Sequence, residues 1–285
     1  MDTVLIQLLS TLSLASILIL VGMGLGVILS LMGIINLAQG EFLMLGAYSV
    51  YLVDQVNGLP DFWVGLIVAP VIVGVIALLV ERGLIRYLYE RPLDTLLATW
   101  GLGIVLREGV SLIFGPEEKS VRGPFTGSVT FLGVTYPTYR IFLIGISAVI
   151  VVGFVLLFMR TSFGLRVRAT MERRSMAEAV GINTKRINAA TFAIGAALAG
   201  LAGALISPIY VVSPEMGLSW LVPAFLVVII GGMGSVYGAI AGGLVIAALQ
   251  ANLEYELPIS TAQALVFIAA ILIVRLRPRG LLNVG

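Results

Sequence analysis

The sequence predicts an all-α, polytopic membrane protein, a single domain over 1–285 with about eight to ten membrane helices. Three observations predict it. Hydrophobic residues make up 59% of the chain and charged residues only 11%, too few to cover a water-exposed surface of this size. Mean hydropathy is +1.09. Apolar runs of about 20 residues, the length that crosses a bilayer, recur with the charges gathered between them.

The elements follow in chain order. The amino-terminal "MDTVLIQLLSTLSLASILIL" has no basic n-region and reads as a retained first span rather than a cleaved signal. The apolar region 4–56 is divided near Gly22 and again near Asn36–Gly40, where glycine and amides interrupt it. Clear spans follow at 62–80, 93–114 and 140–159. Between the last two, 115–139 is rich in Gly, Pro, Thr and alternating Val/Phe, which predicts an external loop over 116–139 with a short hairpin. Further spans are predicted at 189–206 and 258–274, and between them the apolar region 218–251 is divided near Gly231–Ser235.

Charge placement predicts orientation. Arg82, Arg86 and Arg91 share one connection; Arg160, Arg166, Arg168, Arg173, Arg174, Lys185 and Arg186 share another; Arg275, Arg277 and Arg279 form the tail. Together they hold 13 of the 17 basic residues, so these segments are expected in the cytoplasm. The other connections lean acidic and are expected outside. With ten crossings, both termini fall in the cytoplasm. Regions 4–80 and 189–274 share a rhythm of a small-residue helix, an interrupted helix and two more helices, an expected internal repeat running in parallel.

Composition also excludes functions. The chain has no Cys and no His, which removes disulfides, thiolates, Cys/His metal sites and imidazole catalysis. No Ser/Lys or paired-Asp arrangement supports an intramembrane enzyme, and no cofactor site is legible. A net charge of +2 argues against a nucleic-acid partner. No G-x-x-x-x-G-K-[ST] phosphate loop occurs, so any ATP used must be bound by another chain.

Polarity inside an apolar chain marks the candidate sites. "NLAQGE" at 36–41 and "GGMGSVYGAIAGG" at 231–243 are the paired interruptions that point to a translocation path. Asn36, Gln39, Gly40, Gly232, Gly234 and Ser235 are its candidate lining. Gly234, Gly238 and Gly242 recur at spacing four and equally suit a packing seam, while Asn36 and Gln39 equally suit interhelical hydrogen bonding. Glu41 is expected at the cytoplasmic end of a short helix. Arg107 and Glu108 are expected at the outer interface, with the arginine snorkelling. The stretch 160–188 is more basic than topology requires. "MERRSMAEAVG" predicts a short helix stopped at Gly181, and "INTKR" a restart. By composition alone this is a solvated positive-inside loop able to contact anionic lipid.

"GIINLAQGEFLMLGAY", "RPLDTLLATWGLGIVL", "AEAVGINTKRINAATFAIGAALAGLAGAL", "VVIIGGMGSVYGAIAGG" and "RLRPRGLL" resemble the permeases of branched-chain amino acid ABC importers, in particular the first of their two permease subunits. "RPLDTLLATWG" also resembles urea and short-amide permeases of that family. The resemblance implies a transport subunit, not an enzyme, that works beside a second homologous permease, two ATP-binding subunits and an external solute-binding protein. It also implies that 160–188 is a coupling region, with Arg173, Arg174, Met176, Glu178, Ala179, Gly181 and Asn183 docking on an ATPase. The competing reading is a stand-alone channel for a small polar solute such as urea, with Asn36 and Gln39 lining a passive pore.

Overall fold

The computed structural model describes residues 2–57, 62–89, 91–131, 133–232, 235–277 and 280–281. Its helices are α1 (Asp2–Met32), α2 (Gln39–Asn57), α3 (Phe62–Gly83), α4 (Pro92–Phe114), α5 (Thr138–Arg160), α6 (Ser162–Glu172), α7 (Arg174–Ala179), α8 (Thr184–Ile206), α9 (Met216–Gly231), α10 (Val236–Glu256) and α11 (Ile259–Leu276). The only sheet among the described residues is an antiparallel hairpin of β1 (Ser128–Phe131) and β2 (Val134–Pro137). Among the described residues seven helices are long and apolar enough to cross a membrane: α1, α3, α4, α5, α8, α10 and α11. Two more, α2 and the 16-residue α9, are shorter or more polar and stand inside the bundle. The protein is an all-α, multi-pass membrane protein.

The bundle has two distinguishable ends. One carries the hairpin and the acidic connections. The other carries Arg82, Arg86 and Arg91, and α6 and α7 with their cations. Helix α5 runs from the hairpin end to the basic end. Helix α8 runs back, from Thr184 beside Glu178 to Leu205, whose carbonyl accepts from the Tyr139 hydroxyl at 2.7 Å.

Two expectations change here. Helix α1 is a single helix of 31 residues, unbroken at Gly22. Gly22, Gly24 and Gly26 are contact points: a Cβ on Gly22 would meet Val227 and one on Gly24 the Gly195 backbone. A helix can accept glycine where a neighbour approaches closely, and tertiary packing offsets the propensity loss. Helix α1 therefore crosses once, which shifts the parity of the chain by one. Its first turns share a cleft with Arg140, Tyr210 and Glu254 at the hairpin end, whereas Gly280 and Leu281 lie against Gly232 and Ile230 at the basic end. The two ends of the described chain thus lie at opposite ends of the bundle, not on one side.

The same shift turns the repeat over. Helices α1 and α8 now run in opposite directions, and the packing is related by exchange: α1 packs on α10 as α8 packs on α3, α2 on α3 as α9 on α10, α2 on α8 as α9 on α1, and α4 on α2 as α11 on α9. That pattern is an inverted repeat, not a parallel one. The halves meet where α1 crosses α8 at Gly24–Gly195 and where α2 meets α9 at Gly40–Gly217. A Cβ on Gly40 would overlap the Gly217 carbonyl, and one on Gly24 the Gly195 carbonyl, so glycine is needed at both crossings. Helices α1, α2, α8 and α9 form the core, while α3, α5 and α11 present apolar faces outward, including Ile67, Leu79, Val149 and Ile271.

Candidate functional site

The segment between α1 and α2 builds a polar cluster at this crossing. Gly33 takes φ +65°, which frees the chain to turn back into the bundle. Asn36 then folds an Asx turn, its Oδ1 accepting from the Ala38 N–H at 3.2 Å while its Nδ2 donates to Gln39 Oε1 at 3.1 Å. Gln39 Nε2 donates to the Gly195 carbonyl at 3.2 Å, tying the start of α2 to α8. From α4, the Thr99 hydroxyl accepts from the Leu37 N–H at 3.2 Å and lies 3.3 Å from the Ile35 carbonyl. Asn36, Gln39, Ala38 and Thr99 have no exposed surface. Backbone freed from helix inside hydrocarbon must find partners in the protein, and each amide here supplies one.

One turn further on, the structure overturns two expectations. Glu41 is in the first turn of α2 but buried within the bundle, not at a cytoplasmic surface, and Arg107 does not snorkel outward. Arg107 Nη2 donates to Glu41 Oε1 at 2.7 Å and its Nε donates to the same oxygen at 3.2 Å. The two side chains are 18% and 3% exposed. Phe114 packs on Tyr48 and Tyr51 near the hairpin end, and Arg107 lies seven residues earlier on α4, ~10 Å deeper by helix rise. The pair therefore stands well within the span. The reason is α4 itself: it packs alongside α2, Gly103 leaves room for the Glu41 stem, and an unpaired carboxylate there would be costly. The sequence signal existed in Arg107, an arginine set well inside an apolar run, but its partner was 66 residues away.

The second interruption lies elsewhere. Gly232 adopts φ +102°, and Ser235 caps α10, its Oγ accepting from the Gly238 N–H at 3.0 Å. The turn is covered by Gly280, and the Leu281 N–H donates to the Ile230 carbonyl at 2.8 Å. Ser235 shares an apolar cavity with Met23, Phe158 and Arg168 at the basic end. So Gly232 and Ser235 are not gathered with Asn36, Gln39 and Gly40. Gly238 and Gly242 face α9 at Gly231 and Val227, in the α9–α10 seam. Gly234, a candidate in both roles, lies outside the described residues.

The third candidate region is α6–α7. Helix α7 ends in a turn where Gly181 takes φ +86° and the Ile182 N–H reaches the Ala177 carbonyl at 3.0 Å. Asn183 caps α8, its Oδ1 accepting from the Arg186 N–H at 3.1 Å. Glu178 fastens the two helices, accepting from Thr184 Oγ1 at 2.6 Å and from Arg174 Nε at 3.3 Å. The Thr184 hydroxyl, and after it the Arg174 guanidinium, hold the Glu178 carboxyl below its usual range. Ala177 is buried against the bundle, while Met176 and Val180 are 57% and 72% exposed beside Arg173, Arg174 and Ala179. Arg86, Arg91, Arg174 and Lys185 line a cleft next to it with Tyr87 and Tyr89.

The sequence profile of the branched-chain amino acid transport system permease component matches residues 7–276. The high-affinity branched-chain amino acid transport system permease protein LivH of Escherichia coli K12 is 30% identical over 97% of this chain and 94% of its own length. The corresponding permease protein BraD of Pseudomonas aeruginosa is 29% identical over 97% of the chain and 95% of its own. The permease protein LivM of Escherichia coli K12 is 28% identical over 82% of this chain but only 60% of its own length. No solved structure gives a significant match. The match to LivH runs nearly end to end, and the chain belongs to the branched-chain amino acid transport system permease family.

Proposed function

We propose that this chain is a membrane-spanning permease subunit of an ATP-driven importer for branched-chain amino acids. It works by alternating access beside a second, homologous permease, two ATP-binding subunits and an external solute-binding protein. The supporting observation is the family match over 7–276, joined to relatives whose names specify branched-chain amino acids; urea appears in none of those reported above. The similarity to both LivH and LivM supports a paired permease.

In this reading the basic end faces the cytoplasm and the hairpin end faces outward. The amino-terminal end of α1 is then outside and Leu281 inside. Helix α7 is the coupling helix. Its exposed Met176 and Val180 enter an apolar groove on the ATPase, and Arg173 and Arg174 meet acidic groups at its rim. Glu178 and Asn183 make it rigid against α8, which runs directly to Gly195 under Gln39. A push on α7 is thus passed along one helix to the crossing of the two halves. ATP binding closes the ATPases, the halves reorient, and the solute leaves inward.

The test is Met176→Asp with Val180→Asp in the assembled transporter. Stimulation of ATP hydrolysis by the loaded solute-binding protein should be lost while the permease still folds. Normal stimulation would remove the coupling assignment.

A further inference from the structure

We infer that Glu41 and Arg107 form the transporter's recognition site for the two charged ends of an amino acid. The inference rests on the importer reading above and names the residues through which it selects a zwitterion.

Glu41 is 2% exposed overall, yet only one of its carboxylate oxygens is used. Both Arg107 contacts fall on Oε1, and Oε2 has no hydrogen-bond partner among the described residues. A buried carboxylate oxygen without a partner is expensive and is retained where something else is to bind. Oε2 lies against Gly217, where an added Cβ would come within 2.7 Å of it. Gly217 is in the first turn of α9, a 16-residue helix whose amino terminus has no side-chain cap. The Met216 and Leu218 N–H groups are held by the Ser213 and Glu215 carbonyls, so this terminus contributes its positive dipole rather than free donors. Glu41, Arg107 and the start of α9 therefore meet at the α2–α9 crossing, on the interface of the inverted repeat.

An amino acid carries both charges that this place offers to exchange. Its ammonium fits the free Oε2 of Glu41. Its carboxylate fits the guanidinium of Arg107, in the bidentate arrangement natural to arginine. In the closed state the two side chains neutralise each other, and the solute replaces that pairing when the halves part. Arg107 is partly exposed, and its neighbour Glu108 is exposed on the outward face of α4. A neutral solute such as urea would leave both charges unpaired and is selected against.

A merely structural ion pair makes a different prediction, because replacing both charged partners by neutral ones is often harmless. The experiment is ATP-driven leucine uptake by the complete transporter in proteoliposomes, comparing wild type with the double variant Glu41→Gln/Arg107→Gln. Assembly is checked by stimulation of ATP hydrolysis by the loaded binding protein. The expected result is uptake reduced at least about tenfold with stimulation retained. Uptake within about twofold of wild type overturns the inference and leaves the importer reading standing. A wild type that carries no leucine overturns both. If the double variant does not assemble, Arg107→Lys is read instead. It should raise the half-saturating concentration of loaded binding protein for uptake without changing that for stimulation of hydrolysis, and equal behaviour in the two assays overturns the inference.

Discussion

The two interruptions in this bundle are alike in sequence and unlike in structure. Both are glycine-bearing breaks flanked by polar residues; the first precedes α2 of the core and the second precedes α10, which packs on that core. The first, 33–38, turns back into the bundle, and its amides are used up by Gly195, Thr99 and one another. Beside it stands a buried ion pair with one carboxylate oxygen that has no hydrogen-bond partner among the described residues. The second, around Gly232 and Ser235, is a capped turn at the basic end, closed over by Gly280 and Leu281. A break in a membrane helix is thus a structural opportunity, and the charges placed next to it decide whether it bears chemistry. By the inverted repeat the two breaks are not equivalent positions: the first joins α1 to α2, whose counterpart joins α8 to α9, and the second joins α9 to α10.

The largest test of that contrast is Arg107→Ala. It strands the Glu41 carboxylate and should lower stability by about 3–5 kcal/mol, seen as a fall in the melting temperature of the detergent-solubilised permease. A change below about 1 kcal/mol would mean that water already reaches Glu41. Next is Asn36→Ala, which removes the acceptor of the Ala38 N–H and the donor to Gln39, for about 1–3 kcal/mol. Ser235→Ala at the second break removes only a helix cap and should cost about 1 kcal/mol with transport retained. Equal losses from Asn36→Ala and Ser235→Ala would erase the distinction between the breaks.

A junction outside both breaks calibrates the series. The folded-state pKa of Glu178 lies below its unfolded value, so its bonds to Thr184 and Arg174 stabilise the α7–α8 corner above the ordinary carboxylate range. That support is lost as pH falls through the folded value. Amide exchange at Ile182–Arg186 should accelerate on going from about pH 7 to about pH 3, beyond its intrinsic pH dependence, and Glu178→Gln should abolish the extra change.

The fold class, most spans and the short helix stopped at Gly181 were legible because hydropathy and glycine caps are local signals. The division of 218–251 near Gly231–Ser235 was legible for the same reason. The direction of α1 was not: the glycines at 22, 24 and 26 look like a break until Val227 and Gly195 are seen against them. The direction of α1 also decides where the two ends of the described chain lie and whether the repeat is parallel or inverted. Asn36, Gln39 and Gly40 were legible as buried polarity. Their partners Thr99 and Gly195, and the pairing of Glu41 with Arg107, depend on contacts across 60 residues or more, which no local pattern records.

The most direct measurement of the account is leucine accumulation in proteoliposomes that hold this chain with its second permease and ATPases, given ATP and loaded binding protein, against vesicles that hold the chain alone. The account predicts ATP-dependent accumulation above the outside concentration in the complete system and no leucine flux through the single chain. Equal, ATP-independent flux in both would contradict it.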